Sequence, residues 1–110
     1  MSDKLKLSHI DHTVIMVADL DTSIAWYISS FSCELIHKSK RLAILQFENI
    51  KIVLSLPSEQ RPHLGIIKED AASFGEIGEQ SDLCHSTFIA DPSGNPVELV
   101  LSPFTKSEEA

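Results

Sequence analysis

The chain has 110 residues, 43% of them apolar, and a formal net charge of −7, with a pI near 5.0. A chain of this length buries one modest core, which fits a single domain. The acidic balance argues against nucleic acid or an anionic membrane surface as a partner, and no run approaches the ~18 apolar residues of a membrane span.

Residues 1–7 read as a polar, lysine-containing lead-in with no apolar stretch before a cleavage site. No export signal is therefore expected. A cytoplasmic setting follows, with Cys33 and Cys84 as reduced, small buried hydrophobes. Ile10 to Val17 alternates as a strand. Thr13, Ile15 and Val17 share one face, and His12, Val14 and Met16 share the other. Asp19-Leu20-Asp21-Thr22 is a helix start, with an acidic or hydroxyl cap near the positive helix end. Leu20, Ile24, Tyr27, Ile28 and Phe31 follow at helical spacing, with Trp26 and Tyr27 packing on or beside that stripe.

Glu34 to His37, Leu42 to Phe47 and Ile50 to Leu56 read as three strands. Asn49 turns the last two into an antiparallel hairpin. The polar run from Pro57 to Pro62 is a midpoint linker. His63 to Lys68 is a strand that opens on a histidine. A weak helix over Ala71, Ala72 and Phe74 follows, undermined by Gly75 and Gly78. Cys84 to Ile89 is another strand. In Asp91-Pro92-Ser93-Gly94-Asn95, proline sets the turn and Gly94-Asn95 tolerates positive φ. Pro96 to Leu101 is the last strand, and Phe104 is the last apolar residue before a polar tail.

The order is an internal repeat of a βαβββ unit: module one over about 8–57 and a shortened module two over about 61–102. The fold class is α+β. One strand of the second copy is hard to find.

Both copies open on a strand with a histidine at its head, His12 in the first and His63 in the second. Glu98 interrupts the apolar last strand. Read alone, that strand puts Glu98 on its water-facing side, because a buried carboxylate is costly unless paired or metal-bound. Read with the repeat, two imidazoles and one carboxylate form a ligand set for a divalent metal with open positions. Fe, Ni, Zn, Co and Mn all suit it. His85 is ambiguous between a solvated strand end and an acid/base group. His9 and His37 read as surface residues, and Asp91 as a structural residue bonding its own turn.

The stretches Ile10-Asp11-His12-Thr13-Val14, Val17 to Tyr27, His63-Leu64-Gly65-Ile66 and Asp91 to Val100 run in an order that resembles the vicinal oxygen chelate superfamily. That superfamily includes glyoxalase I, type I extradiol dioxygenases, methylmalonyl-CoA epimerase, and fosfomycin and bleomycin resistance proteins. The resemblance implies two βαβββ modules curling an open mixed sheet around a metal or ligand cavity. It carries the metal-ligand positions over to His12, His63 and Glu98, and it implies a homodimer acting on a small molecule. Three departures matter. The position matching a fourth glyoxalase I ligand is Val53, with Gln46 on the neighbouring strand a weak substitute. The tyrosine that dioxygenases place before the turn is Phe88. No arginine follows Arg61 to hold a phosphonate. Val53 counts against typical glyoxalase I chemistry, and because Phe88 lacks the hydroxyl, isomerase or lyase chemistry, with Glu98 and His85 as candidate catalytic residues, is slightly favoured over oxygen cleavage. The alternative is a drug-binding protein without catalysis, for which the acidic charge suits cationic ligands.

Overall fold

A computed structural model describes residues 7–57, 61–81 and 84–102. Most of the lead-in, the polar tail with Phe104, and the side chain of Cys84 lie outside the described residues. The elements are β1 (His9–Met16), α1 (Leu20–Ser30), β2 (Glu34–Lys38), β3 (Leu42–Gln46), β4 (Lys51–Ser55), β5 (His63–Ile67), a 3-10 turn (Ala71–Ser73), β6 (Gly78–Ser81), β7 (Cys84–Ala90) and β8 (Pro96–Ser102). All the strands join one mixed sheet in the order β2-β3-β4-β1-β5-β8-β7-β6, unclosed at its two outer strands. β1 runs parallel to β4, and β5 parallel to β8. The copies meet where β1 pairs antiparallel with β5. This is the expected α+β architecture with its βαβββ repeat.

Alternation along the strands sorts the side chains onto two faces. Ile15, Ala43, Leu45, Ile52 and Leu54 face α1 and pack against Leu20 and Ile24. Val14, Ile36, Ile44 and Val53 cluster on the opposite face. His12 lies two residues before Val14 on β1, and His63 is registered directly against Val14. Both histidines therefore share that second face.

The helix begins as its sequence demands. Asp19 is extended, and its carboxylate accepts from the Thr22 N–H at 3.0 Å. Leu54 is fully buried under this helix. Leu54→Ala removes packing on both the sheet and α1, and it is expected to cost about 2–5 kcal/mol. Urea denaturation monitored by circular dichroism measures this. A loss well below that range would show that α1 is not held to the sheet through Leu54.

Two expectations need correction. Trp26 does not pack beside the buried stripe but is 56% exposed, and Ile28 and Phe31 are also exposed. At 3.6 residues per turn, Leu20, Ile24 and Tyr27 face the sheet while Trp26 is turned to the far side. Phe31 is the C-cap, already extended and leaving the helix. Trp26 instead meets Tyr27 and Phe31 edge-on, with ring centroids 4.9 and 5.8 Å away. The second correction concerns 69–80. Only a three-residue 3-10 turn forms there, and the elusive strand is β6, which pairs antiparallel with β7. Glycine opposes a helix over this stretch but leaves extended backbone available.

The turn before β8 matches its sequence. Gly94 has φ of 90°. The Asp91 carboxylate accepts from the Ser93 and Asn95 backbone N–H groups and from the Asn95 side chain, each at 2.9 Å. These bonds, first of all those from Asn95, hold the Asp91 carboxyl below its usual range. The turn thereby fixes the register of β8. A one-residue slip would carry Glu98 to the other face.

Candidate metal centre

Three adjacent strands bring the site together. His12 on β1 is registered against Gly65 on β5, and Gly65 against Glu98 on β8. His63, the first residue of β5, stands two residues from Gly65 on the same face. His12 lies four residues into its strand, not at its head. All three side chains are buried, Glu98 to 4% exposure.

Their ligand atoms converge. The Nε2 atoms of His12 and His63 each lie 3.1 Å from Glu98 Oε1, and the possible ligand atoms of the group all fall within 4.8 Å of one another. His85 is exposed on β7 and is not part of this group. Val53 lies on the site face, buried with Val14 and Ile44. It is registered against Val14, two residues past His12, just as Glu98 is registered against the residue two past His63. The repeat thus makes Val53 the counterpart of Glu98, and an apolar side chain cannot coordinate. Gln46 sits at the outer end of β3, where its amide donates to the Phe47 carbonyl.

A second ring of contacts orients the three side chains. The Nδ1–H of His12 donates to Asp11 Oδ2 at 2.8 Å, and Lys51 Nζ donates to Asp11 Oδ1 at 3.0 Å. The Nδ1–H of His63 donates to the Arg61 carbonyl at 2.8 Å. A carboxylate and a carbonyl can only accept, so both Nδ1 atoms carry hydrogen and both Nε2 atoms face Glu98. Ser86, fully buried, donates to Glu98 Oε2 at 2.6 Å. That engages one carboxylate oxygen and leaves Oε1 to the histidines. Phe88 stands edge-on to His63 with ring centroids 5.0 Å apart. Among the described residues no buried side-chain polar atom lacks a partner.

The electrostatics follow from this geometry. Burial alone would lower the His12 pKa, but hydrogen bonds to Asp11 and Glu98, and their charges, raise it from 6.5 to about 9. Burial alone would raise Glu98. Hydrogen bonds from His12, His63 and Ser86 outweigh it and hold Glu98 well below the carboxylate range. Asp11 is likewise held low against its burial by His12 and Lys51. The pocket of ligand atoms is built to hold positive charge. Two imidazole nitrogens with Nδ1 tied back, plus one carboxylate oxygen, fit a divalent metal, and the tie-backs are the contacts that orient ligating histidines.

Asp11, Lys51 and Ser86 were not singled out by sequence reasoning. Adjacent strand residues point to opposite faces, so Asp11 should not reach the His12 ring. It does because the β1/β5 register shifts between Ile10 and His12, leaving Asp11 as an extra residue. The available signal is Lys51, a lysine opening a strand whose next three residues, Ile52, Val53 and Leu54, are apolar.

Comparison with family models finds no match, and no curated protein matches the chain. Solved structures do. A glyoxalase/bleomycin resistance protein/dioxygenase superfamily member from Vibrio splendidus is similar at a TM-score of 0.60 with 9% identity, over 86% of this chain and 98% of that one. Methylmalonyl-CoA epimerase from Mycobacterium tuberculosis is similar at a TM-score of 0.59 with 20% identity, over 100% of both chains. The fold of this chain is that of the glyoxalase/bleomycin resistance/dioxygenase superfamily, as the sequence resemblance implies.

Proposed function

We propose that the chain is a small metal-dependent enzyme of the vicinal oxygen chelate type, with isomerase or lyase chemistry. The observation that carries this reading is the convergence of His12 Nε2, His63 Nε2 and Glu98 Oε1 with every outer contact satisfied. Its substrate is a small molecule with two neighbouring oxygens. A divalent ion held by the three residues would supply Lewis-acid polarisation of those oxygens, acidifying the adjacent carbon-bound proton.

The chain's own residues do the rest. Asp11, the Arg61 carbonyl and Ser86 hold the three ligands in one orientation, so little reorganisation accompanies substrate entry. Phe88 is 41% exposed beside His63. It offers a substrate an apolar edge and no hydroxyl, which supports isomerase or lyase chemistry over oxygen cleavage. The homodimer remains part of the proposal, supported by exposed Trp26 and Phe31.

The test is proton exchange. Metal-loaded protein in deuterium oxide, given a panel of small hydroxy-ketones, 2-oxo acids and 2-substituted thioesters, is expected to exchange the carbon-bound proton of at least one. NMR reads this directly, and the exchange should vanish in His63→Ala. His85→Gln in the same assay tests the proton-transfer role. No exchange with any compound by the metal-loaded protein would overturn the enzyme reading.

A further inference from the structure

We infer that Gly65 is a positioning residue of the metal centre. Its missing side chain is the space through which His12 reaches Glu98. The inference rests on the metal-site reading above, but its structural half stands without a metal.

His12, Gly65 and Glu98 form one register row across β1, β5 and β8. Neighbouring strands lie about 4.8 Å apart, so the two ligands start about 10 Å apart with β5 between them. The His12 ring closes that gap by lying across β5. A Cβ built on Gly65 would fall on Cε1 of that ring and within 2.5 and 2.6 Å of Nδ1 and Nε2. The ring has no room to yield. Asp11 holds Nδ1, Glu98 meets Nε2, and the residue is 6% exposed. The backbone does not require glycine here, because Gly94 alone among the described glycines has positive φ. Alanine would suit the strand better than glycine does. Space for the imidazole is the reason for this glycine.

The arrangement is not mirrored in the first copy. There the matching row is His63 on β5, Val14 on β1 and Val53 on β4. Its middle residue carries a branched side chain and its outer residue cannot coordinate. The glycine therefore marks which of the two pseudo-symmetric rows became the ligand row.

The test is a double-mutant cycle on the full chain with cobalt(II) alone as the probe. Wild type, Gly65→Ala, His12→Ala and the double variant are stripped with chelator. Each is melted without metal, then titrated with cobalt(II) by visible absorption. Gly65→Ala is expected to weaken cobalt binding by at least about tenfold and to shift the spectrum toward that of His12→Ala. It should lower the melting temperature in the wild-type background and not in the His12→Ala background, because the clash leaves with the ring. If Gly65→Ala fails to fold, recovery in the double variant carries the same meaning, and failure of both overturns the inference. Wild-type affinity and spectrum in Gly65→Ala would overturn it, as would an equal thermal penalty in both backgrounds. A wild type that binds no cobalt would defeat the metal reading, while the metal-free melts would still decide the role of Gly65.

Discussion

Glu98→Ala is expected to lower divalent-metal affinity by more than about 100-fold, since the outer contacts of a metal site alone carry about 10–100-fold. Glu98 is the only carboxylate among the three grouped ligands, and its loss leaves two imidazoles and no negative charge facing the ion. The variant also removes a partner of both Nε2 atoms and of the Ser86 hydroxyl. His12 then keeps only Asp11 to favour its charged form, so its pKa should fall from about 9. Competition titration against a chromophoric chelator measures the affinity. Retention of affinity within a few-fold would mean that the ion, if bound, sits elsewhere.

Asp11→Asn should weaken metal binding by about 10–100-fold without touching a ligand atom. The carboxylate fixes the Nδ1 hydrogen of His12 and neutralises Lys51, whose ammonium is partly buried near the site. An asparagine amide can present either oxygen or nitrogen to Nδ1, so the ring loses its single preferred tautomer. The pH dependence separates this role from a purely structural one. A metal must displace the His12 proton, so wild-type affinity should rise with pH up to about 9. Glu98, His63 and Asp11, with Lys51 behind it, are the groups facing that ring. In Asp11→Asn the rise should end at lower pH, because a main cause of the raised pKa is gone. Unchanged affinity and an unchanged pH profile would show that the Asp11–Lys51 pair does not orient the ligand.

Much of this was legible in the chain because its signals are local. Asp19 caps α1, and Asp91 with Gly94 builds the turn, from side-chain chemistry that acts within four residues. The repeat and the family resemblance together joined His12, His63 and Glu98 as one ligand set, although the last strand read alone turns Glu98 to water; its register against Gly65 turns it inward. What escaped depends on relations across strands. β6 carries no alternating apolar pattern in Gly78-Glu79-Gln80-Ser81, and only its pairing with β7 defines it. Asp11 reaches the His12 ring through a bulge that sequence periodicity cannot register. Trp26 reads as packing on or beside the apolar stripe, yet at 3.6 residues per turn it is turned away from the sheet and stays exposed. Gly65 looked like one residue of a motif. Its role appears only when three strands are laid in register.

The metal centre stands or falls on the metal content of the wild-type protein, purified without chelator and measured by elemental analysis beside His12→Ala. Close to one divalent ion per chain is expected, the ratio that a single three-ligand site requires, with its loss in the variant. Wild-type protein that stays metal-free even after incubation with excess zinc, nickel, cobalt, manganese and iron(II), or metal that persists in the variant, would contradict it.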